Sequence, residues 1–152
     1  ATPVFASDEE ALAAATDAYA KYLKVSDEIT NDGGMGAERI SSLVTPEQFL
    51  RELDGFKKLQ VEGLRTQGSS TSAVKGLQRY VDSSSGTAEV VIYVCVDVSA
   101  VRILNGSGQD VTRAGRPDTI PLEVEFEVTQ KIPTEMTISR SEPWSGNDFC
   151  QR

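Results

Sequence analysis

The sequence predicts an α+β domain, with two to three N-terminal helices packed on a curved antiparallel sheet of about four strands. Two observations carry this. Capping signals and 3.6-residue periodicity dominate the first 60 or so residues, and strict alternation dominates the rest. At 152 residues, 39% hydrophobic and 25% charged, the chain is long enough to bury a core as one unit. Residues 7–152 are accordingly expected to form a single domain, and residues 1–6 the remnant of a linker.

The first helix is expected over about Asp8–Thr30. Ser7 is placed to cap it, Asp8, Glu9 and Glu10 favour the positive end of its dipole, and Leu12, Ala15, Tyr19, Tyr22 and Leu23 recur at helical spacing. Asn31-Asp32-Gly33-Gly34 supplies its end. A short helix over Ala37–Leu43 is the weakest element. Thr45-Pro46-Glu47-Gln48 then starts a helix to about Gln60, with Phe49, Leu53, Phe56 and Leu59 as its apolar stripe.

After Gly68 the period changes. Ser72–Val81 reads as a strand with a bulge at Gly76. Thr87–Leu104 is the strongest strand signal, apolar on both faces and so long that it needs a bend. Asn105–Thr119 is a polar connection. Leu122, Val124, Phe126 and Val128 alternate with Glu123, Glu125 and Glu127, which predicts one face on the core and one on water or basic neighbours. Met136–Glu142 is the last strand, followed by an irregular tail that holds Trp144, Phe149 and Cys150.

Composition excludes several functions. The formal net charge is −8, from 15 basic and 23 acidic residues, without basic clustering, so neither nucleic acid nor an anionic membrane surface is an expected partner. The absence of histidine removes imidazole acid–base chemistry, histidine-ligated zinc and the usual triads. No cofactor or metal is expected, and no stretch suits direct membrane insertion. Cys95 and Cys150 lack metal or redox-motif spacing. A Cys95–Cys150 disulfide in an oxidising compartment is the reading preferred over two separately buried thiols.

A long helix, a second helix and then about four long strands resemble the cone-shaped nuclear-transport-factor-2-like fold, with a cystatin-like roll as the alternative. Three runs, Phe5–Leu12, Tyr93–Ser99 and Trp144–Cys150, resemble a group of uncharacterised actinobacterial exported lipoproteins. That resemblance implies a domain on the outer face of the cell membrane, held by a lipid upstream of this sequence. It implies no activity.

The expected function is an extracytoplasmic, envelope-tethered binding or interaction module without catalysis. Its partner would be a small molecule or an envelope protein, or a second copy in a homodimer. Tyr19, Tyr22, Phe56, Tyr93, Asp97 and Trp144 are the residues expected around a cavity. One alternative is a small lyase or isomerase in which a desolvated Asp97, its pKa raised, acts as base beside a tyrosine. Otherwise Asp97 would pair with Arg79, Arg102 or Arg140. Another alternative is a structural accessory domain of an envelope complex. Ser72-Ala73-Val74-Lys75 matches a Ser-x-x-Lys spacing only by coincidence, since its strand-like setting and missing companion motifs do not suit a nucleophile. The row Glu123, Glu125, Glu127 is expected to pair with Arg79 and Arg140 across strands rather than to hold a cation.

Overall fold

In a computed structural model, residues 3–83, 85–131 and 134–151 are described. Ala1, Thr2 and Arg152, at the ends of the expected linker and domain, lie outside them.

Helix α1 spans Asp8–Asn31, and the Ser7 hydroxyl accepts from the Glu10 backbone N–H, as its sequence predicts. A 3-10 turn covers Ala37–Ile40, shorter than the expected Ala37–Leu43 helix. Helix α2 spans Pro46–Glu62, capped by the Thr45 hydroxyl. Gly34, at φ 88°, lets the α1–α2 connection reach α2 closely: a Cβ there would stand 2.2 Å from the Phe56 carbonyl oxygen.

Strand β1 is Arg65–Gln67, β2 Thr71–Asp82, β3 Ala88–Asp97, β4 Arg102–Leu104, β5 Thr119–Lys131 and β6 Thr134–Pro143. The main sheet is antiparallel in the order β2-β3-β5-β6, while β1 and β4 form a separate two-stranded ribbon. The sequence reading joined β3 and β4 into one bent strand, Thr87–Leu104, and this is corrected. Asp97 accepts from the backbone N–H and hydroxyl of Ser99, and Val101 N–H bonds back to Val98. This Asx turn breaks the ladder and sends residues 102–104 to pair with β1, an element the sequence reading did not separate. The bulge expected at Gly76 is present as a register shift between Val74 and Gly76, and a second shift follows between Leu77 and Arg79.

One face of the sheet meets the helices. Val90, Ile92, Val94 and Val96 of β3, Val124, Phe126 and Val128 of β5, and Ile138 of β6 pack there with Ala11, Ala15, Tyr19, Ile29 and Phe56. Phe5 is buried in the same core, stacked edge-on against Tyr80, and its N–H donates to the Tyr80 hydroxyl. The packing thus reaches into the segment read as linker. At the β6 edge, Thr45 N–H donates to the Ile138 carbonyl, Ile138 N–H donates to Leu43, and the Arg51 guanidinium holds the Ser139 carbonyl.

The opposite face carries a lattice of charge over the buried Val91. Arg79 pairs with Glu89 at 2.7 Å and Glu125 at 3.5 Å; Arg140 pairs with Glu123 at 2.8 Å, Glu142 at 3.1 Å and Glu125 at 3.5 Å. The cross-strand pairing expected of Glu123 and Glu125 is therefore present. Hydrogen bonds from Gln78 and Arg140 hold the Glu123 carboxyl below its usual range. Half-exposed pairs of this kind contribute roughly 0.2–1 kcal/mol each and act mainly as a register lock.

Candidate functional site

Period-two alternation along β3 puts Tyr93, Cys95 and Asp97 on the face away from the helices. β6 ends at Pro143, and the chain then doubles back across this face, with Trp144 N–H donating to the Pro121 carbonyl. A Cys95–Cys150 disulfide closes the tail onto the middle of the sheet, with Cα atoms 5.6 Å apart. Between those two ties, Trp144 and Phe149 both meet Tyr93 edge-on, with ring centroids at 5.2 and 5.5 Å.

The result is an aromatic groove of about 540 Å³ lined by Lys75, Tyr93, Trp144, Asn147 and Phe149. Tyr93, Trp144 and Phe149 are each half-buried, whereas Lys75 and Asn147 are exposed. Gly146 lies flat against the indole: a Cβ at that position would stand 2.5 Å from Trp144 Nε1. The Tyr93 hydroxyl accepts from Gln78 at 3.0 Å, which fixes the ring from the β2 side.

The six residues read as a cavity wall fall on two sides of the sheet. Tyr19 and Phe56 are core side chains on the helix face, with Tyr22 packed against that core and its ring 5.5 Å from Tyr19. Tyr93 and Trp144 meet on the outer face, and Asp97 ends β3 on the same side. Phe149, Lys75 and Asn147 complete the groove and were not among the residues expected around a cavity.

The expected chemistry of Asp97 is corrected. Its carboxyl is held below the ordinary range by the Ser99 hydroxyl at 2.6 Å and the Ser99 backbone N–H at 2.8 Å. It is a turn-forming carboxylate rather than a desolvated base. Nor does it pair with Arg79, Arg102 or Arg140: Arg79 and Arg140 serve the glutamate lattice, and Arg102 pairs with Asp110 at 2.7 Å.

Among the described residues, Glu52 is the carboxyl whose pKa is raised. It sits between α1 and α2, accepts a hydrogen bond from the Tyr22 hydroxyl and a 3.0 Å bond from the Gln48 amide, and burial is the main cause of its upward shift. Tyr22 is pushed up as well, by burial and then by the Glu52 charge. The folded state binds the Glu52 proton more tightly than the unfolded chain does. This group therefore favours folding most below its ordinary value of 4.5, and that contribution is lost as pH rises through the elevated value.

Glu52→Gln keeps an acceptor for Tyr22 and removes the titration. Its stability is expected to gain steadily on wild type as pH climbs from the ordinary carboxyl range to neutrality. Glu52→Ala leaves two polar partners unpaired, and the expected cost is about 1–3 kcal/mol. Urea titrations at stepped pH read both outcomes. A wild-type-to-Gln difference that stays flat with pH would show that the carboxyl is not shifted upward.

Groove and disulfide together describe the class: an α+β domain whose outer sheet face carries an aromatic groove under a disulfide-tied tail. No protein-family model matches the chain, and no curated protein does. Among solved structures it is similar to a periplasmic fragment of TraM, with a TM-score of 0.58 at 14% identity over 93% of this chain and all of that one. It is also similar to the intermembrane space region of the chloroplast protein ARC6, with a TM-score of 0.56 at 11% identity over 88% of this chain and 95% of that one. At these identities the likeness carries the fold.

Proposed function

We propose that this domain is a non-catalytic binding or interaction module that works outside the cytoplasm, tethered to the cell envelope by a lipid on an upstream segment. The observation that carries the reading is the Cys95–Cys150 bond, which holds three half-buried aromatic side chains in an open groove. Disulfides persist in oxidising compartments, and half-buried aromatics with polar neighbours are what a recognition surface needs. The periplasmic and intermembrane-space settings of the two similar structures support the same placement. So does the resemblance of three runs to exported actinobacterial lipoproteins, whose nuclear-transport-factor-2-like cone suits helices laid on an open sheet. Among the described residues no helix is long and apolar enough to cross a membrane, and the lipid tether is what the lipoprotein resemblance implies.

The test is made on protein recovered from the cells that produce it, quenched in acid and alkylated under denaturing, non-reducing conditions. The expected product carries no alkyl group and partitions with detergent. Uptake of two alkyl groups would overturn the extracytoplasmic placement, and partition into the aqueous phase would overturn the lipid tether.

A further inference from the structure

Charge balance sets the groove apart from the rest of the molecule. The chain has 23 acidic residues against 15 basic, yet the groove is lined by one lysine and no carboxylate. Among the described residues Lys75 has no salt-bridge partner, Trp144 Nε1 donates to nothing, and the Asn147 amide is unengaged, whereas Arg79 and Arg140 nearby are saturated with glutamates. Three unspent donors therefore surround an aromatic wall.

We propose that the groove binds an acidic sugar unit. The aromatic wall receives the apolar face of a pyranose ring, Lys75 pairs with its carboxylate, and the Trp144 and Asn147 donors take ring hydroxyls. This rests on the reading of the domain as a binding module and adds the ligand class. A cationic ligand, the usual guest of an aromatic cage, is disfavoured by the Lys75 ammonium. A peptide added as a further strand on β2 is disfavoured because the register shift between Val74 and Gly76 interrupts the ladder at Lys75 itself. The site is prebuilt: the disulfide, the Pro121 bond and Gly146 hold Trp144 in place before any ligand arrives.

Trigalacturonate is the probe, neutral maltotriose its control, and a short peptide ending in phenylalanine the rival. Each is titrated into the oxidised protein and followed by amide and indole NMR shifts. Trigalacturonate is expected to saturate in the millimolar range, shifting the Trp144 indole signal, with maltotriose much weaker. Lys75→Ala, an exposed change, should weaken trigalacturonate by roughly two- to fivefold. Equal binding of both sugars, a response to the peptide alone, or no saturable shift in oxidised, folded protein would each overturn the ligand class. Those failures leave the placement outside the cytoplasm standing, because that falls only if the cellular protein carries free thiols.

Discussion

Replacing Cys95 and Cys150 together by alanine is expected to lower the unfolding free energy by about 4 kcal/mol, the chain-entropy value for a closed loop of this length. The cross-link spans 55 residues and joins a central strand to the end of the chain. Without it, the ties of residues 144–151 among the described residues are the Pro121 bond, two edge-on aromatic contacts to Tyr93 and a 3.4 Å bond from Gln151 to Thr119. Denaturant titration should therefore show a large drop in midpoint, and the Trp144 emission should move to the red before the core melts. A loss below about 1 kcal/mol would mean that the unfolded chain gains little freedom when the bond is cut.

Phe126→Ala should cost about 3–5 kcal/mol. The ring is fully buried on the helix face of β5, its backbone in register with Val90 of β3 and Ile138 of β6, both equally buried. Phe126→Leu keeps most of the volume and should lose less than about 1.5 kcal/mol. Glu125, one residue earlier, points the other way into the charge lattice, so Glu125→Ala supplies the comparison. If Phe126→Ala costs no more than Glu125→Ala under the same titration, the assignment of faces is wrong.

The elements most legible in the sequence are those whose signal is local. Ser7 with three following acids, and Thr45 with Pro46 and Gln48, mark helix starts by hydrogen bonds that span only three residues. The Glu123-Glu125-Glu127 alternation likewise displays its own two faces. The break after β3 was hidden because Val98, Val101, Ile103 and Leu104 continue the apolar pattern, so the eye follows hydrophobicity past the Asp97–Ser99 turn that stops the strand.

At the candidate site, Tyr93 and Trp144 were named but set in one shell with Tyr19 and Phe56. Counting along β3 separates them: Tyr93 has the opposite parity to Val90, Ile92 and Val94. Lys75 and Asn147 come to the groove only through strand register and the disulfide, which no local pattern encodes. Glu52 did leave a trace. It stands at the i+3 position of the stripe Phe49, Leu53, Phe56, where an ionisable side chain must find a partner, and Tyr22 lies 30 residues away.

The hydrogen bonds that bind Leu43 and Thr45 to Ile138, with Arg51 on Ser139, also bear on how the sheet meets other chains. They occupy the β6 margin of the main sheet, while β2, which pairs only with β3 among the described strands, keeps its other margin unpaired. On the β2 side, the register shifts at Val74/Gly76 and Leu77/Arg79 interrupt the strand, so it is a poor template for another chain. Edge-to-edge growth of the folded domain is thus opposed at both margins, by added backbone at one and by bulges at the other.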